Sequence, residues 1–207
     1  MPLTPSVLYR HSLFKSSNVT QSERQAEDIE NLQVQKENVA YHEAGHAFAA
    51  CLHGCRPAFV YSLFLKVGPL LFRRAEVRFG QFAFDNVSVD GRIDILFAGL
   101  AAELLVNDLC NEDLNNPSVE FLRGRVAISV GSDVVKAIHL HQGTTSETVT
   151  LEFMKDLERF CEFFDQRTAR AMLLLVPHIP QIRAFAAVLL RRGVVLRPMR
   201  LIGQLMR

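Results

Sequence analysis

The chain has 207 residues, a formal net charge of +1, 49% hydrophobic and 22% charged residues. That length admits one substantial domain, or one domain with a small appendage, and the composition supplies enough apolar residues for a real core. A near-neutral charge balance gives no electrostatic reason to expect nucleic acid or an anionic membrane surface as a partner.

Residues 1–19 carry Pro2, Pro5 and Ser16-Ser17-Asn18 and read as irregular. Residues 20–37 are strongly polar, with Ile29, Leu32 and Val34 as the main apolar positions, and read as an exposed helix or tether. The folded domain is therefore expected over 37–207, with 1–36 as an N-terminal extension. Residues 38–53 combine Val39, Phe48, Cys51 and Leu52 with several alanines in a helical pattern that Gly54 and Pro57 stop. Residues 59–67 and 71–79 are rich in β-branched and aromatic residues and are split by Gly68-Pro69, which predicts two strands of a hairpin, with 81–89 as a third. Asp90 can cap a helix over 93–108 whose aliphatic face is Ile93, Leu96, Phe97, Leu100 and Leu104. Residues 111–118 form a polar loop and 119–130 fit either helix or strand. Gly131-Ser132-Asp133 reads as the start of a helix over 134–141. Helices follow over 147–170, over 178–192 and after Pro198. No internal repeat is present. The fold class is α+β, mostly α-helical, with a small sheet directly after the first strong helix and a helical bundle behind it.

Cys51, Cys55, Cys110 and Cys161 are too few and too scattered for a disulfide framework, and they predict reduced thiols in a reducing, cytoplasmic compartment. The N-terminal residues lack the continuous apolar stretch of a signal peptide. Lys66 and Pro69 interrupt the apolar run 59–72, and Asp94 and Glu103 interrupt or flank 93–106. No uninterrupted apolar run reaches the roughly 18 residues of a membrane span, so a soluble chain is expected.

The chemistry is concentrated in Tyr41-His42-Glu43-Ala44-Gly45-His46-Ala47. Residues four apart share one face of a helix, so His42 and His46 can aim both imidazoles at one Zn²⁺. Glu43 projects beside that face, placed to act as general base toward the water that zinc activates. The alanines and Gly45 leave room for a second element to pack closely. A catalytic zinc takes three protein ligands, so a third must come from elsewhere. His53 lies two helical turns beyond His46, about 10 Å along the axis, and is out of reach. Glu103, Asp108, Asp133, His139 and His141 are the candidates.

The segment 41–47 resembles the zinc helix of the FtsH-type membrane-anchored AAA+ metalloproteases. Two more blocks follow in that family's order. Phe97-Ala98-Gly99-Leu100-Ala101-Ala102-Glu103 resembles its Ala/Gly-Gly-Arg-Ala-Ala-Glu helix, and Gly131-Ser132-Asp133 resembles the Gly-Ala-x-x-Asp segment that opens a later helix. The likeness covers about residues 38–192, the peptidase portion. It implies a zincin-like fold, Asp133 as third zinc ligand, and Glu103 as a carboxylate holding a ligand histidine in its metal-binding tautomer. It also implies a protein or peptide substrate bound as an added strand along the edge of a sheet formed within 59–84. The departures are that Leu100 replaces the family's arginine, that the spacing from Glu103 to Asp133 is longer, and that no GxxxxGK[ST] phosphate loop occurs. The expected activity is thus ATP-independent hydrolysis of peptide bonds in flexible or unfolded proteins, with a homo-oligomer or a separate ATPase as partner left open. The competing expectations are a catalytically silent binding or regulatory module that keeps the fold, and a zinc hydrolase of a non-protein substrate.

Overall fold

Residues 20–37 and 38–53, distinct in composition, join in one helix, α1 (Gln21–Leu52). Glu, Gln, Ala and Lys dominate its first half, and no Gly or Pro interrupts it before Gly45. The helix stops at Gly54, whose φ of +73° permits a left-handed turn. There Cys55 N donates to Ala50 O at 2.8 Å and Gly54 N to Cys51 O at 3.0 Å, a paired closure that satisfies the last carbonyls. The computed structural model describes residues 21–67, 70–79, 83–107 and 132–207. The expectations for 1–19, for the break at Gly68-Pro69, for 111–130 and for Gly131 lie outside the described residues, as do Asp108 and Cys110. The chain divides into two compact units, 1–35 and 36–207, and the buried core among the described residues belongs to the second.

β1 (Pro57–Val67) pairs antiparallel with β2 (Leu70–Phe79), with Val60 opposite Val77, Tyr61 opposite Glu76 and Leu63 opposite Arg74. β3 (Val194–Leu196) pairs antiparallel with the other side of β1, placing Phe59 opposite Leu196 and Tyr61 opposite Val194. Among the described residues, the order β2-β1-β3 leaves β2 at an edge. The expected third strand over 81–89 is corrected: among its described residues, 83–86 form a turn and Ser88 already caps a helix. Asp85-Asn86 favour a turn, and Val87 N donates to Phe84 O at 3.2 Å to close it. The third strand comes instead from three residues after Gly193, whose φ is +70°, too short a segment to show a period of two.

α2 (Val89–Val106) starts two residues earlier in the chain than an Asp90 cap would require. Ser88 Oγ accepts from Gly91 N at 3.2 Å, and Asp90 stands in the first turn, where its charge complements the helix dipole. Twelve of its residues are buried, from Gly91 to Val106, so α2 is the central helix rather than a half-exposed one. The helices α3 (Ser132–Gln142), α4 (Glu147–Lys155), α5 (Leu157–Leu175), α6 (Ile179–Arg192) and α7 (Pro198–Leu205) surround it and the sheet. The single helix expected over 147–170 is broken at Asp156, which caps α5 by accepting from Arg159 N at 3.3 Å. α5 packs on α2 through Phe163 and Phe164, whose rings lie 5.7 and 5.3 Å from that of Phe97. The result is a mostly helical α+β chain with a three-stranded antiparallel sheet.

The run Leu157–Arg192 is long and apolar enough by length and composition to cross a membrane, although charged residues interrupt it. Within it Met172, Leu175, Ile182, Phe185 and Leu189 are buried in the core, and a 3₁₀ turn at Val176–His178 separates α5 from α6.

Candidate metal centre

α1 and α2 lie side by side and antiparallel, as successive contacts show. Asn107 Nδ2 donates to Asn38 Oδ1, His42 meets Glu103, His46 meets the Ile95 carbonyl, and His53 meets Asp94. The approach is close because both helices are small along the seam. A Cβ on Gly45 would overlap the carbonyl oxygen of Ala98 and stand 2.6 Å from Ala102 Cβ. With side chains this small, the two backbones come near enough for residues of α2 to meet the bases of the α1 histidines.

Three positions of α2, each four residues apart, form the wall behind the imidazoles. Glu103 Oε1 is 2.7 Å from His42 Nδ1, and the Ile95 carbonyl oxygen is 2.6 Å from His46 Nδ1. Both partners are acceptors, so both Nδ1 atoms carry the proton, and both Nε2 atoms turn their lone pairs outward. Gly99 lies between them, and a Cβ there would be 2.6 Å from each Nε2. The two Nε2 atoms are 2.9 Å apart. Two lone pairs at that distance repel unless a cation stands with them, either a proton or a metal ion.

Asp133 supplies the third group. Its Oδ2 lies 3.4 Å from His46 Nε2 and 3.7 Å from His42 Nε2, while its Oδ1 is 3.3 Å from Lys136 Nζ one turn on. Asp133 sits inside the first turn of α3. His42, His46 and Asp133 form a group that could hold a metal ion. Tetrahedral bonds of about 2.0–2.1 Å separate two ligand atoms by about 3.4 Å. The carboxylate distances already match that span, and the imidazole pair opens by about half an ångström.

Electrostatics point the same way. Burial lowers the His42 pKa, but the Asp133 and Glu103 carboxylates outweigh it and raise it to about 10. Burial pushes Asp133 up, yet its bonds to His42 and His46 win and hold it well below the usual carboxylate range. A proton thus occupies the cluster when no metal does. The folded pKa of His42 exceeds its ordinary value of 6.5. The metal-free protein therefore keeps this stabilisation below pH 6.5 and loses it as pH rises toward about 10. A metal must displace the same proton. Affinity for zinc is expected to rise by up to about tenfold per pH unit across that window, measured by chelator competition at several pH values.

Glu43, next to His42 on α1, is 6% exposed, and its pKa is raised by burial against the opposing pull of His46 and His42. It lines, with His46 and Asp133, a cleft of about 560 Å³ bounded by Arg74–Val77 and Phe79 of β2 and by Phe84, Ile95 and Leu96.

The other histidines go elsewhere. His53 lies 3.2 Å from Asp94. His141 stacks against Phe163 at 4.6 Å, and His139 is not part of the metal-capable group. Burial pushes the Cys51 thiol up to about 12 and raises that of Cys55, so neither is a thiolate at neutral pH. The Ile95 carbonyl, Gly99 and Lys136 were not singled out by sequence reasoning. Gly99 had a readable signal, a glycine midway between Ile95 and Glu103 at helical spacing, whereas a backbone carbonyl has none. In comparisons with known proteins, no family model matches the chain and no curated protein matches it.

Proposed function

We propose that the chain is a zinc metalloendopeptidase of the FtsH peptidase type, with a zincin-like arrangement of helix and sheet. The observation that carries this is the convergence of His42 Nε2, His46 Nε2 and Asp133 Oδ2 within 3.7 Å, with both Nδ1 atoms pinned from behind by acceptors. Three ligands, not four, are the pattern of a site that keeps a position for water and substrate. Bound zinc would supply Lewis-acid polarisation of a carbonyl and a lowered pKa for water.

The chain's own residues do the rest. Glu43 takes the proton from the attacking water and returns it to the leaving amine, a role suited to a carboxyl whose pKa burial has raised. Glu103 and the Ile95 carbonyl hold the imidazoles in one tautomer. Lys136 occupies Asp133 Oδ1 and leaves Oδ2 facing the histidines. The cleft runs beside β2, an edge strand, so an extended peptide can pair with its main chain, and flexible or unfolded proteins are the fitting substrates. The sequence has no phosphate loop, so the cleavage is ATP-independent unless a separate ATPase or assembly of copies delivers the substrate. Among the described residues, Cys51, Cys55 and Cys161 are free thiols, which fits a cytoplasmic setting.

The test is zinc content and cleavage of casein by the purified full chain, before and after treatment with a chelator. About one zinc per chain, and cleavage that chelation stops and zinc restores, are expected. Bound zinc without cleavage would favour the silent binding module, and no zinc at all would remove the peptidase assignment.

A further inference from the structure

Asp94 is 2% exposed on the inner face of the central helix, among residues that are otherwise apolar. Arg170 Nε of α5 donates to its Oδ2 at 2.9 Å, and His53 Nε2, near the end of α1, lies 3.2 Å from the same oxygen. Its other oxygen, Oδ1, is buried without a hydrogen-bond partner. A buried charge satisfied on one side costs stability, and replacing a buried ion cluster by apolar residues is often neutral or stabilising. Fold stability therefore does not account for this carboxylate.

Position does. Asp94 immediately precedes Ile95, whose carbonyl oxygen is 2.6 Å from His46 Nδ1. His53 follows directly on the helix that carries His46, and its place is cut into α2: a Cβ on Gly91 would be 3.0 Å from His53 Nδ1. His46 to Ile95 is thus a hydrogen-bonded rung between α1 and α2, the His53–Asp94 pair is a close contact without a hydrogen bond just beyond the end of α1, and Arg170 ties Asp94 to α5. We infer that Asp94, held by Arg170 and set beside His53, is a positioning residue that fixes the Ile95 carbonyl behind His46 and so sets the affinity of the metal centre. The inference rests on the metal reading above.

The experiment uses the full chain and four variants, Asp94→Asn, Arg170→Gln, Arg170→Lys and, as a stability control, Ile202→Ala. Zinc affinity is read by chelator competition, coordination by the visible absorption of the Co²⁺-loaded protein, and the rung itself by the Nδ1–H proton resonance of His46 in metal-free protein. Asp94→Asn and Arg170→Gln are expected to weaken zinc about tenfold, shift the cobalt bands and move the resonance upfield. Arg170→Lys keeps a cation near Oδ2 and recovers most of the affinity. Ile202→Ala, a core change on α7, lowers thermal stability while leaving the cobalt bands and the resonance in place. If Asp94→Asn does not fold, the two Arg170 variants carry the test. Wild-type affinity, bands and resonance in Asp94→Asn and Arg170→Gln, or Arg170→Lys no better than Arg170→Gln, overturns the inference alone. A wild-type protein that binds no metal overturns it together with the proposed function.

Discussion

Gly99→Ala is expected to lower zinc affinity by at least about a hundredfold and to lower the stability of the metal-free fold as well. Two effects on stability oppose each other, and the unfavourable one is larger. In a helix interior, alanine is favoured over glycine by about 1 kcal/mol, since it restricts the unfolded chain. At this position, however, the new methyl group would stand 2.6 Å from His42 Nε2, 2.6 Å from His46 Nε2 and 2.7 Å from His42 Cδ2. No carbon fits there, so one imidazole must swing out. His46 is buried and fastened at Nδ1, which leaves His42, 28% exposed at its side chain, to turn away from Glu103. Calorimetric zinc titration and the melting temperature of the metal-free protein check both halves. Undiminished zinc binding would mean that the ion sits elsewhere.

Glu43→Gln is expected to reduce casein cleavage by about 10²- to 10⁴-fold with zinc content unchanged, the range that loss of a positioned general base produces. The amide keeps the shape and hydrogen-bonding reach of the side chain but cannot accept the proton. Stability moves the other way. Burial raises the Glu43 pKa above its ordinary value of 4.5. The folded state thus favours the protonated carboxyl, and that contribution, full below pH 4.5, is lost as pH climbs through the raised value. At neutral pH the metal-free glutamine variant should melt at the same temperature as the parent or higher. Equal cleavage by parent and variant would assign the proton transfer to another group.

The site was legible in the sequence to the extent that it depends on helical spacing. His42, Glu43 and His46 lie within one turn, and period alone places them on one surface. Asp133 and Glu103 stood among five candidates, and only the resemblance gave each its role, because nothing local to either says which helix will meet the histidines. The structure brings both to the pair, Asp133 Oδ2 at Nε2 and Glu103 at the far nitrogen of His42. The fold followed the same rule. Helices with strong formers and clear stops, such as Ile179–Arg192 ahead of Gly193, were legible. β3 was not, since a three-residue strand is defined by its partner β1 and not by its own pattern. The Asp90 cap failed for a simpler reason: Ser88 offers a hydroxyl two residues earlier, and the first competent acceptor takes the helix start.

The open side of β2 has a consequence for how the protein behaves in solution. A strand that offers unpaired amides and carbonyls to a passing chain offers them equally to a neighbouring molecule, and such rims are where proteins begin to clump. Arg74, Glu76 and Arg78 alternate along the described part of this rim, with Arg74 and Arg78 exposed. Two copies meeting here rim to rim would crowd arginine against arginine unless their registers happened to offset the charges. A short uncharged guest would meet no such barrier. Neutralising Arg74 and Arg78 would therefore be a poor trade for an engineer seeking tighter guests, because the first guest recruited would be the protein itself.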